Sequence, residues 1–280
     1  MATPLASRPF FSNVQLTARI RKNSDRGSMN KQESAPPLYG LVGDGRLARH
    51  WSHYLSLLNL DFVSWSRRRP QPGLERCEVL LLAIRDDALA DFCAEFRKQQ
   101  GSDLRDRPVV HFSGALVIPG MTGMHPLQSF GPELYAEARY REIPFLVEEG
   151  GTAFAEVFPT LPNPHFTIPA TEKARYHAHC VLSGNFATLL WQRLFRYLET
   201  ELKLPADIAL PYLRQITENL ARNPTAALTG PLARGDVETL RRDLAGLAND
   251  AHARRLFESF VETERPDLAL QLKGTPQWTS

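Results

Sequence analysis

The sequence predicts an α/β fold in which an N-terminal domain built on a parallel sheet is followed by an all-α domain. Up to about residue 170, short apolar runs alternate with helical patterns, which is typical of right-handed βαβ units. Beyond that point the patterns are helical and no strand signal appears. The expected organisation is a disordered leader at 1–36, the sheet domain at 37–170 and a helical domain at 171–280.

Five strands are expected in the sheet domain, from apolar runs bounded by turn residues. They lie at 38–42, 61–65 and 78–84, and within PVVHFSG and IPFLVEEG. The run at 78–84, EVLLLAI, is typical of parallel strands that are buried on both faces. Helices are expected where apolar residues recur at helical spacing after the first and third strands. The second of these helices is DDALADFCAEFRKQ, where Asp86 or Asp87 is placed to cap its first turn.

The helical domain begins with one long pattern, EKARYHAHCVLSGNFATLLWQRLFRYLETEL. Two further helical patterns are ADIALPYLRQITENLAR and DVETLRRDLAGLAND, and the tail from Ala251 is expected to add another. The segment NPHFTIPA precedes all of them and is predicted to be the domain boundary.

The distribution of charge argues against a nucleic-acid-binding surface. The whole chain has a net charge of +2, and residues 1–35 carry six basic and two acidic side chains. The remainder therefore has a net charge of −2, so the folded body is not basic.

Three widely spaced cysteines show no CxxC pair and no disulfide framework, so a reducing cytoplasm is the expected compartment. No apolar run approaches the roughly 20 residues that span a bilayer, and no membrane partner is expected. The leader is rich in Arg and Ser and poor in acidic residues, as transit peptides are. The alternative is a disordered leader, or an early start codon with Met29 as the true start.

A glycine pair between the first strand and the first helix predicts a Rossmann-type nucleotide site. The motif is Gly43-x-Gly45-x-x-Ala48. In this motif the first glycine makes a tight turn, the second admits a pyrophosphate, and the small third residue lets helix and strand pack. Unpaired N–H groups at the helix N-terminus favour the anion. The residues expected at the pyrophosphate are Gly43, Asp44, Gly45, Arg46 and Leu47.

The end of the second strand predicts NADP rather than NAD as the cofactor. An acidic residue there would bind the ribose 2′-hydroxyl of NAD. This chain has Ser66, Arg67 and Arg68 instead, followed by a third arginine. Guanidinium groups bind phosphates as planar, bidentate donors. A solvated basic loop is the alternative interpretation.

Two further strand ends are expected to line the same site, because open α/β sheets bind ligands at the carboxyl ends of their strands. Ile84, Arg85 and Asp86 follow the third strand and are placed on the ribose side of the cofactor. Ser113 and Gly114 follow the next strand, and the serine is placed to bind the nicotinamide carboxamide or the substrate.

Six motifs resemble, in order, those of a bacterial family of Rossmann-like proteins: GLVGDGRLARHW, LLLAIRDDAL, HFSGAL, GMHPLQSF, YHAHCVLSGN and TGPLARGDVETLRRDLAGL. The resemblance runs from about Leu38 to Leu270. The helical half of this family is classed as a domain of unknown function. The family is similar to pyrroline-5-carboxylate reductase, ketopantoate reductase and the 3-hydroxyacid dehydrogenases, in which helices roof the nicotinamide cleft. The resemblance implies an oxidoreductase-like protein without an agreed substrate.

The chain departs from the hydroxyacid dehydrogenases at their catalytic lysine. That lysine stands one turn before an asparagine on the first long helix. If Asn185 is that asparagine, the lysine position is occupied by Val181, which puts lysine-dependent hydroxyacid chemistry in doubt.

Two histidines are candidate proton donors. His125 lies in GMHPLQSFG, where a substrate loop is expected, and an ordinary pKa near 6.5 would suit acid–base work. The alternative is a turn histidine packed by Pro126. His177 lies eight positions before Asn185 and therefore on the same face of the long helix, where it could donate to a carbonyl oxygen. An interfacial polar face is the alternative.

Asn185 and Arg234 are the candidate substrate anchors. Arg234 could bind a carboxylate or pair with Asp236, which is expected to cap the next helix. The run HAHC does not predict a zinc site, because ligands two positions apart on a helix diverge by about 200°.

The sequence therefore predicts an NADP(H)-dependent oxidoreductase acting on a small carbonyl, imine or hydroxy acid. The alternative is a non-catalytic NADP-binding sensor or partner protein. A homodimer is expected by analogy with related folds.

Overall fold

The computed structural model describes residues 35–100 and 107–273. The leader predicted at 1–36 falls almost wholly outside the described residues. The chain divides into two compact units, Met1–His177 and Ala178–Ser280. The division falls inside the long helical run, a few residues after the boundary that the sequence suggested.

The first unit is built on a seven-stranded sheet in the order β2-β1-β3-β4-β5-β6-β7. All neighbouring strands are parallel except β5 and β6. The predicted α/β class is therefore confirmed. The strands are β1 (Tyr39–Val42), β2 (Phe62–Trp65), β3 (Val79–Leu82), β4 (Val109–His111), β5 (Thr122–Pro126), β6 (Phe145–Glu148) and β7 (His165–Ile168).

Eleven α-helices occur in the described residues. They are α1 (Arg46–Leu57), α2 (Asp86–Gln100), α3 (Glu137–Arg141), α4 (Phe154–Val157), α5 (Lys173–Cys180), α6 (Ala187–Thr200), α7 (Leu210–Arg222), α8 (Gly230–Arg234), α9 (Val237–Gly246), α10 (Ala251–Glu264) and α11 (Pro266–Lys273). A π-helical segment at Val181–Phe186 joins α5 to α6, so the single long helical pattern is confirmed. Within the described part of the chain, no helix is both long and apolar enough to cross a membrane.

Strand alternation explains why the sheet is buried on both faces. Tyr39 and Leu41 of β1 join one hydrophobic cluster with Trp51 of α1. Val42 of β1 and Leu80 of β3 join a second cluster on the opposite face. Because successive side chains of a strand point to opposite faces, the apolar run of each strand supplies both cores.

The second unit has its own small core between its last helices. Six buried side chains from α9, α10 and α11 form this cluster: Leu240, Leu244, Val261, Leu268, Ala269 and Leu272. Asp236 accepts a hydrogen bond from the backbone N–H of Thr239, so the predicted cap at the start of α9 is confirmed.

Four details of the sheet domain differ from the sequence prediction. The stretch expected to be a substrate loop begins with β5, which pairs with β4 and β6, so His125 lies on a strand. The segment taken as the domain boundary contains β7. The pairing of β5 with β6 is antiparallel, where a wholly parallel sheet was expected. The helix α2 begins at Asp86, so Asp86 and Asp87 lie in its first turn instead of at the cap position.

β1 lies between β2 and β3, so β2 is added on one side of β1 and β3 on the other. The strand order therefore switches direction at β1. Gly43 ends β1 at this switch point with φ at +136°, and its N–H donates to the carbonyl oxygen of Trp65 at 2.8 Å. A β-carbon on Gly43 would overlap the carbonyl group of Ala83, which follows β3. Only glycine fits this turn.

We expect Gly43→Ala to destabilise the protein. The backbone conformation alone costs an alanine about 1–3 kcal/mol, and the overlap with Ala83 adds to it. The matched control is Gly45→Ala, since a β-carbon there meets no atom within 4 Å among the described residues beyond its chain neighbours. Urea unfolding of both variants measures the difference, and equal unfolding free energies would contradict the steric argument.

Candidate active site

The N-terminus of α1 opens the candidate site. Gly45 is the N-cap residue, and no side chain caps the helix. The first N–H groups of a helix have no partner within it. Apart from the residues adjacent to Gly45 in the chain, no atom of residues 35–100 or 107–273 lies within 4 Å of the position of a β-carbon on Gly45. Ala48 is buried and lies close to Gly43. The glycine motif therefore has the open, N–H-lined turn that an anion requires.

Two side chains of the motif have partners in this structure. Asp44 forms an exposed ion pair with Arg68, with 3.7 Å between Oδ2 and Nε. Arg46 donates to the carbonyl oxygen of Phe130 at 3.4 Å. Leu47 is half-buried against the core. The motif is therefore held from β2 and from the loop after β5.

The arginines after β2 stand at the tip of a tight turn. Ser66 and Arg69 exchange backbone hydrogen bonds, and the Ser66 hydroxyl also accepts from the N–H of Arg69. Ser66 is buried, whereas Arg67 and Arg68 are exposed. The turn thus presents two adjacent guanidinium groups to solvent at the carboxyl end of β2.

A groove of about 700 Å³ joins the glycine motif to the arginine turn. Gly43 and Asp44 line one end of it, and Ser66, Arg68 and Arg69 line its wall. It continues along α1 past Ser52 and Ser56. Its volume falls in the range of small-molecule sites, roughly 300–1,000 Å³.

The predicted residues after β3 and β4 lie close together, and their polar side chains form hydrogen bonds and an ion pair within these two segments. Ser113 donates to Asp86 at 2.7 Å and accepts from the N–H groups of Ala115 and Leu116. Arg85 forms an ion pair with Asp87, and Ile84 is half-buried. The Ser113 hydroxyl is therefore engaged in shaping its own turn, and its contact with a ligand stays a prediction.

Both candidate histidines pack on Gly114. A β-carbon on Gly114 would overlap Cδ2 of His177 and lie 3.1 Å from Cδ2 of His125. The two imidazole rings are perpendicular, with centroids 5.6 Å apart. His125 Nδ1 is hydrogen-bonded at 2.9 Å to the hydroxyl of Tyr176. The structure therefore joins His125 and His177, and adds a tyrosine that the sequence analysis did not single out.

A buried ion pair, which was not predicted from the sequence, lies beside these histidines. The ammonium of Lys173 donates to Glu148 at 2.7 Å, and the two side chains are 2% and 9% exposed. Fully buried His111 lies close by, and neither of its ring nitrogens has a hydrogen-bond partner among the described residues. The signals available in the sequence were a lysine in the first turn of the long helix and a histidine in an apolar strand.

The environment of His125 changes its expected chemistry. Burial, together with His177 and the charge of Lys173, lowers the pKa of His125 to about 4. Burial and Lys173 likewise lower the pKa of His111 to about 4. The sequence-based expectation of an ordinary pKa for His125 was wrong, because buried surroundings disfavour the imidazolium. At neutral pH His125 is an uncharged imidazole.

Asn185 and Arg234 belong to the second unit. Asn185 is exposed in the π-helical segment, and Arg234 lies on α8 with its guanidinium 3.9 Å from the carboxylate of Asp236. Their roles as substrate anchors stay predictions. In the described residues, no group of three His, Cys, Asp or Glu side chains is arranged to hold a metal ion.

Residues 145–263 match the model of a family described as a domain of unknown function, DUF2520. The match begins at β6 and runs to α10, which confirms the resemblance that the sequence motifs suggested. No curated protein sequence matches the chain.

Solved structures share the fold. A provisionally assigned NADP oxidoreductase from Bacteroides fragilis has a TM-score of 0.68 and is 19% identical over 81% of this chain and 97% of its own. An imine reductase from Myxococcus stipitatus in complex with NADP⁺ has a TM-score of 0.53 and is 12% identical over 85% and 94%. A 1-pyrroline-5-carboxylate reductase from Streptococcus pyogenes has a TM-score of 0.52 and is 13% identical over 83% and 100%. At these identities the likeness is one of fold.

Proposed function

We propose that the protein binds NADP(H) and transfers hydride between this cofactor and a small carbonyl, imine or hydroxy acid. The observation that carries the proposal is the groove that joins the glycine turn to the arginine turn. Two features suit the cofactor at this groove, whose lining includes Arg68 but neither Gly45 nor Arg67. The open space at Gly45 admits a pyrophosphate to the N–H groups of α1, and two exposed guanidinium groups suit a ribose 2′-phosphate.

The neighbours support the same cofactor, since the imine reductase of the fold is in complex with NADP⁺. When bound, the cofactor supplies the hydride, and the protein contributes orientation, exclusion of water and a proton. His125, near the end of β5, and His177, on α5, both pack on Gly114 after β4, at the edge where parallel sheets bind their ligands. Since His125 is uncharged at neutral pH, its part in the reaction is to hold or relay a proton together with Tyr176, with His177 as the second candidate donor.

A non-catalytic NADP-binding sensor is the second candidate, and two observations favour it. Val181 stands where the hydroxyacid dehydrogenases have their lysine, if Asn185 is their asparagine. Lys173, which stands one turn before His177, is buried and bound to Glu148 and so is not exposed to a substrate. Nucleotide binding without turnover would favour this second candidate.

We expect Arg67→Ala/Arg68→Ala to weaken the binding of NADPH while leaving the binding of NADH unchanged. Each charge-assisted hydrogen bond is worth about 1.5–3 kcal/mol and about 1.4 kcal/mol is tenfold in affinity, so the loss for NADPH is about 100-fold. Calorimetric titration with NADPH, NADP⁺ and NADH measures it.

Arg242→Ala/Arg255→Ala is the matched control, since it removes the same charge from exposed positions on α9 and α10. It should bind NADPH as the wild type does. If none of the three nucleotides binds to the wild-type protein, the glycine motif is a structural turn and the proposal fails.

If the protein turns over, His125→Ala and His177→Ala should each lower kcat by about 10²–10⁴-fold where the histidine handles the proton. The Kd for NADPH should stay within a few-fold of the wild-type value, because neither ring lines the groove. NADPH oxidation with a panel of small ketones, imines and keto acids is the assay. A histidine whose removal leaves kcat unchanged takes no part in the mechanism.

We also propose that a second copy of the chain covers an apolar stripe on the second unit. Large apolar side chains are exposed along α6, α7 and the segments that flank them, including Leu182, Phe186, Leu189, Tyr197 and Tyr212. Soluble monomers rarely expose contiguous apolar surface of this kind. Its members on the long helix, Leu182, Phe186, Leu189 and Tyr197, share one face of that helix, as in a helix–helix interface.

Leu189→Glu/Tyr197→Glu should therefore convert a dimer to a monomer, measured by size-exclusion chromatography with light scattering. The matched control is Leu270→Glu, at an exposed leucine of α11 outside the stripe. A wild-type protein that is monomeric at all concentrations would contradict the proposal.

A further inference from the structure

The ammonium of Lys173 occupies the place of a missing side chain on β5. The sheet register pairs His111 of β4 with Gly123 of β5. Met124 pairs with Val147 of β6, so Gly123 and Glu148 stand next to that pair, and adjacent residues of paired strands project to the same face. A β-carbon on Gly123 would overlap Lys173 Nζ, and would lie 2.9 Å from Glu148 Oε2 and 3.2 Å from His111 Cε1. Glycine at position 123 therefore leaves the space that the ammonium group of Lys173 occupies.

The same lysine begins the helix that carries the candidate site. Tyr176 and His177 lie three and four positions after Lys173 on α5, so all three share one side of the helix. His125 lies two residues after Gly123 and projects to the same face of β5. The hydrogen bond from Lys173 to Glu148 of β6 is therefore made from the side of α5 that also carries Tyr176 and His177.

We infer that Lys173 is a positioning residue: seated over Gly123 and bound to Glu148, it fixes the first turn of α5 on the sheet and keeps a positive charge beside His111 and His125. The importance of this arrangement for turnover rests on the proposed function. The arrangement itself does not, and it can be tested without nucleotide or substrate.

Titratable side chains from four elements of the fold lie around the ammonium group of Lys173. Facing it are His111 from β4, His125 from β5, Glu148 from β6, and Tyr176 and His177 from α5. Glu148 balances the ammonium on one side. On the other side, the ammonium group would repel a positive charge on the imidazole of His111 or of His125, because buried charges are little screened by solvent. Burial is the main reason why His125 is an uncharged hydrogen-bonding partner of Tyr176, and the charges of His177 and Lys173 act in the same direction.

A buried ion pair is weak evidence for stability, because the cost of desolvating two charges offsets their attraction. The presence of Lys173 and Glu148 inside the sheet unit is better explained by the effect of the ammonium charge on its neighbours. The ammonium group occupies the space left by glycine at position 123, and it borders the ring of His111, whose nitrogens have no hydrogen-bond partner among the described residues.

The test is an NMR titration of the histidine Cε1–H resonances in the full-length protein without ligands. In the wild type, His111 and His125 should stay uncharged from about pH 8 to about pH 5.5, whereas an ordinary histidine titrates near 6.5. In Lys173→Met/Glu148→Gln, which removes both charges and keeps similar volumes, the midpoints of both histidines should rise by about one pH unit. His252, exposed on α10, is the internal reference.

Glu148→Gln alone distinguishes the effect of the Lys173 charge from the effect of the ion pair. It leaves the ammonium in place, so His111 and His125 should remain uncharged over the same range. Unchanged midpoints in a folded double variant would overturn the inference, as would a rise in Glu148→Gln equal to that of the double variant. A purely structural role for Lys173 predicts such unchanged midpoints.

Gly123→Ala provides a second route if the double variant does not fold. It keeps both charged residues but places a methyl group where the ammonium lies. The displaced charge should let the midpoint of His111 rise, and an unchanged midpoint in this folded variant would also overturn the inference. NADPH affinity is measured separately, so failure of the cofactor proposal and failure of this inference are distinguishable.

Discussion

The position of β1 between β2 and β3, with a sharp turn at its end, is the constraint on which the rest of the sheet unit depends. β1 can lie between β2 and β3 with its end turned sharply into α1 because Gly43 has no side chain to meet the carbonyl group of Ala83. The parallel run of β1 to β5 then brings five strand ends to one edge. The glycine turn, the arginine turn, Gly114 and His125 all lie along that edge, so a single topological feature assembles the candidate site.

Three glycines in this unit serve three different partners. Gly43 makes room for a backbone carbonyl, Gly114 for two imidazole rings and Gly123 for an ammonium group. In each case the absent side chain allows a polar group to come closer than any other residue would permit. Local packing of the site is therefore set as much by where side chains are missing as by those that are present.

The sequence was a good guide where local pattern and tertiary environment agree. The apolar run of β3, the glycine motif and the long helix were all predicted. Burial on both faces requires a continuous apolar run, and a helix requires apolar residues at helical spacing, so both can be recognised in the sequence. β5 was missed because TGMHP contains glycine, histidine and proline, which read as a turn; only its neighbours β4 and β6 make it a strand. The Lys173–Glu148 pair could not be seen, since partners 25 positions apart each resemble ordinary solvated charges. The lowered pKa of His125 follows from that same unseen burial.

The two ends of the sheet differ in how they are protected. β2 is short and leads directly into a turn that exposes two arginines, and charged residues at a sheet edge oppose pairing with another chain. At the other end β7 has the sequence HFTI, without Lys, Arg, Asp or Glu, and its Phe166 is 60% exposed. If the protein is partly unfolded by heat or by mutation, aggregation should therefore begin by strand addition at β7, and a lysine in place of Phe166 would make the protein easier to keep in solution.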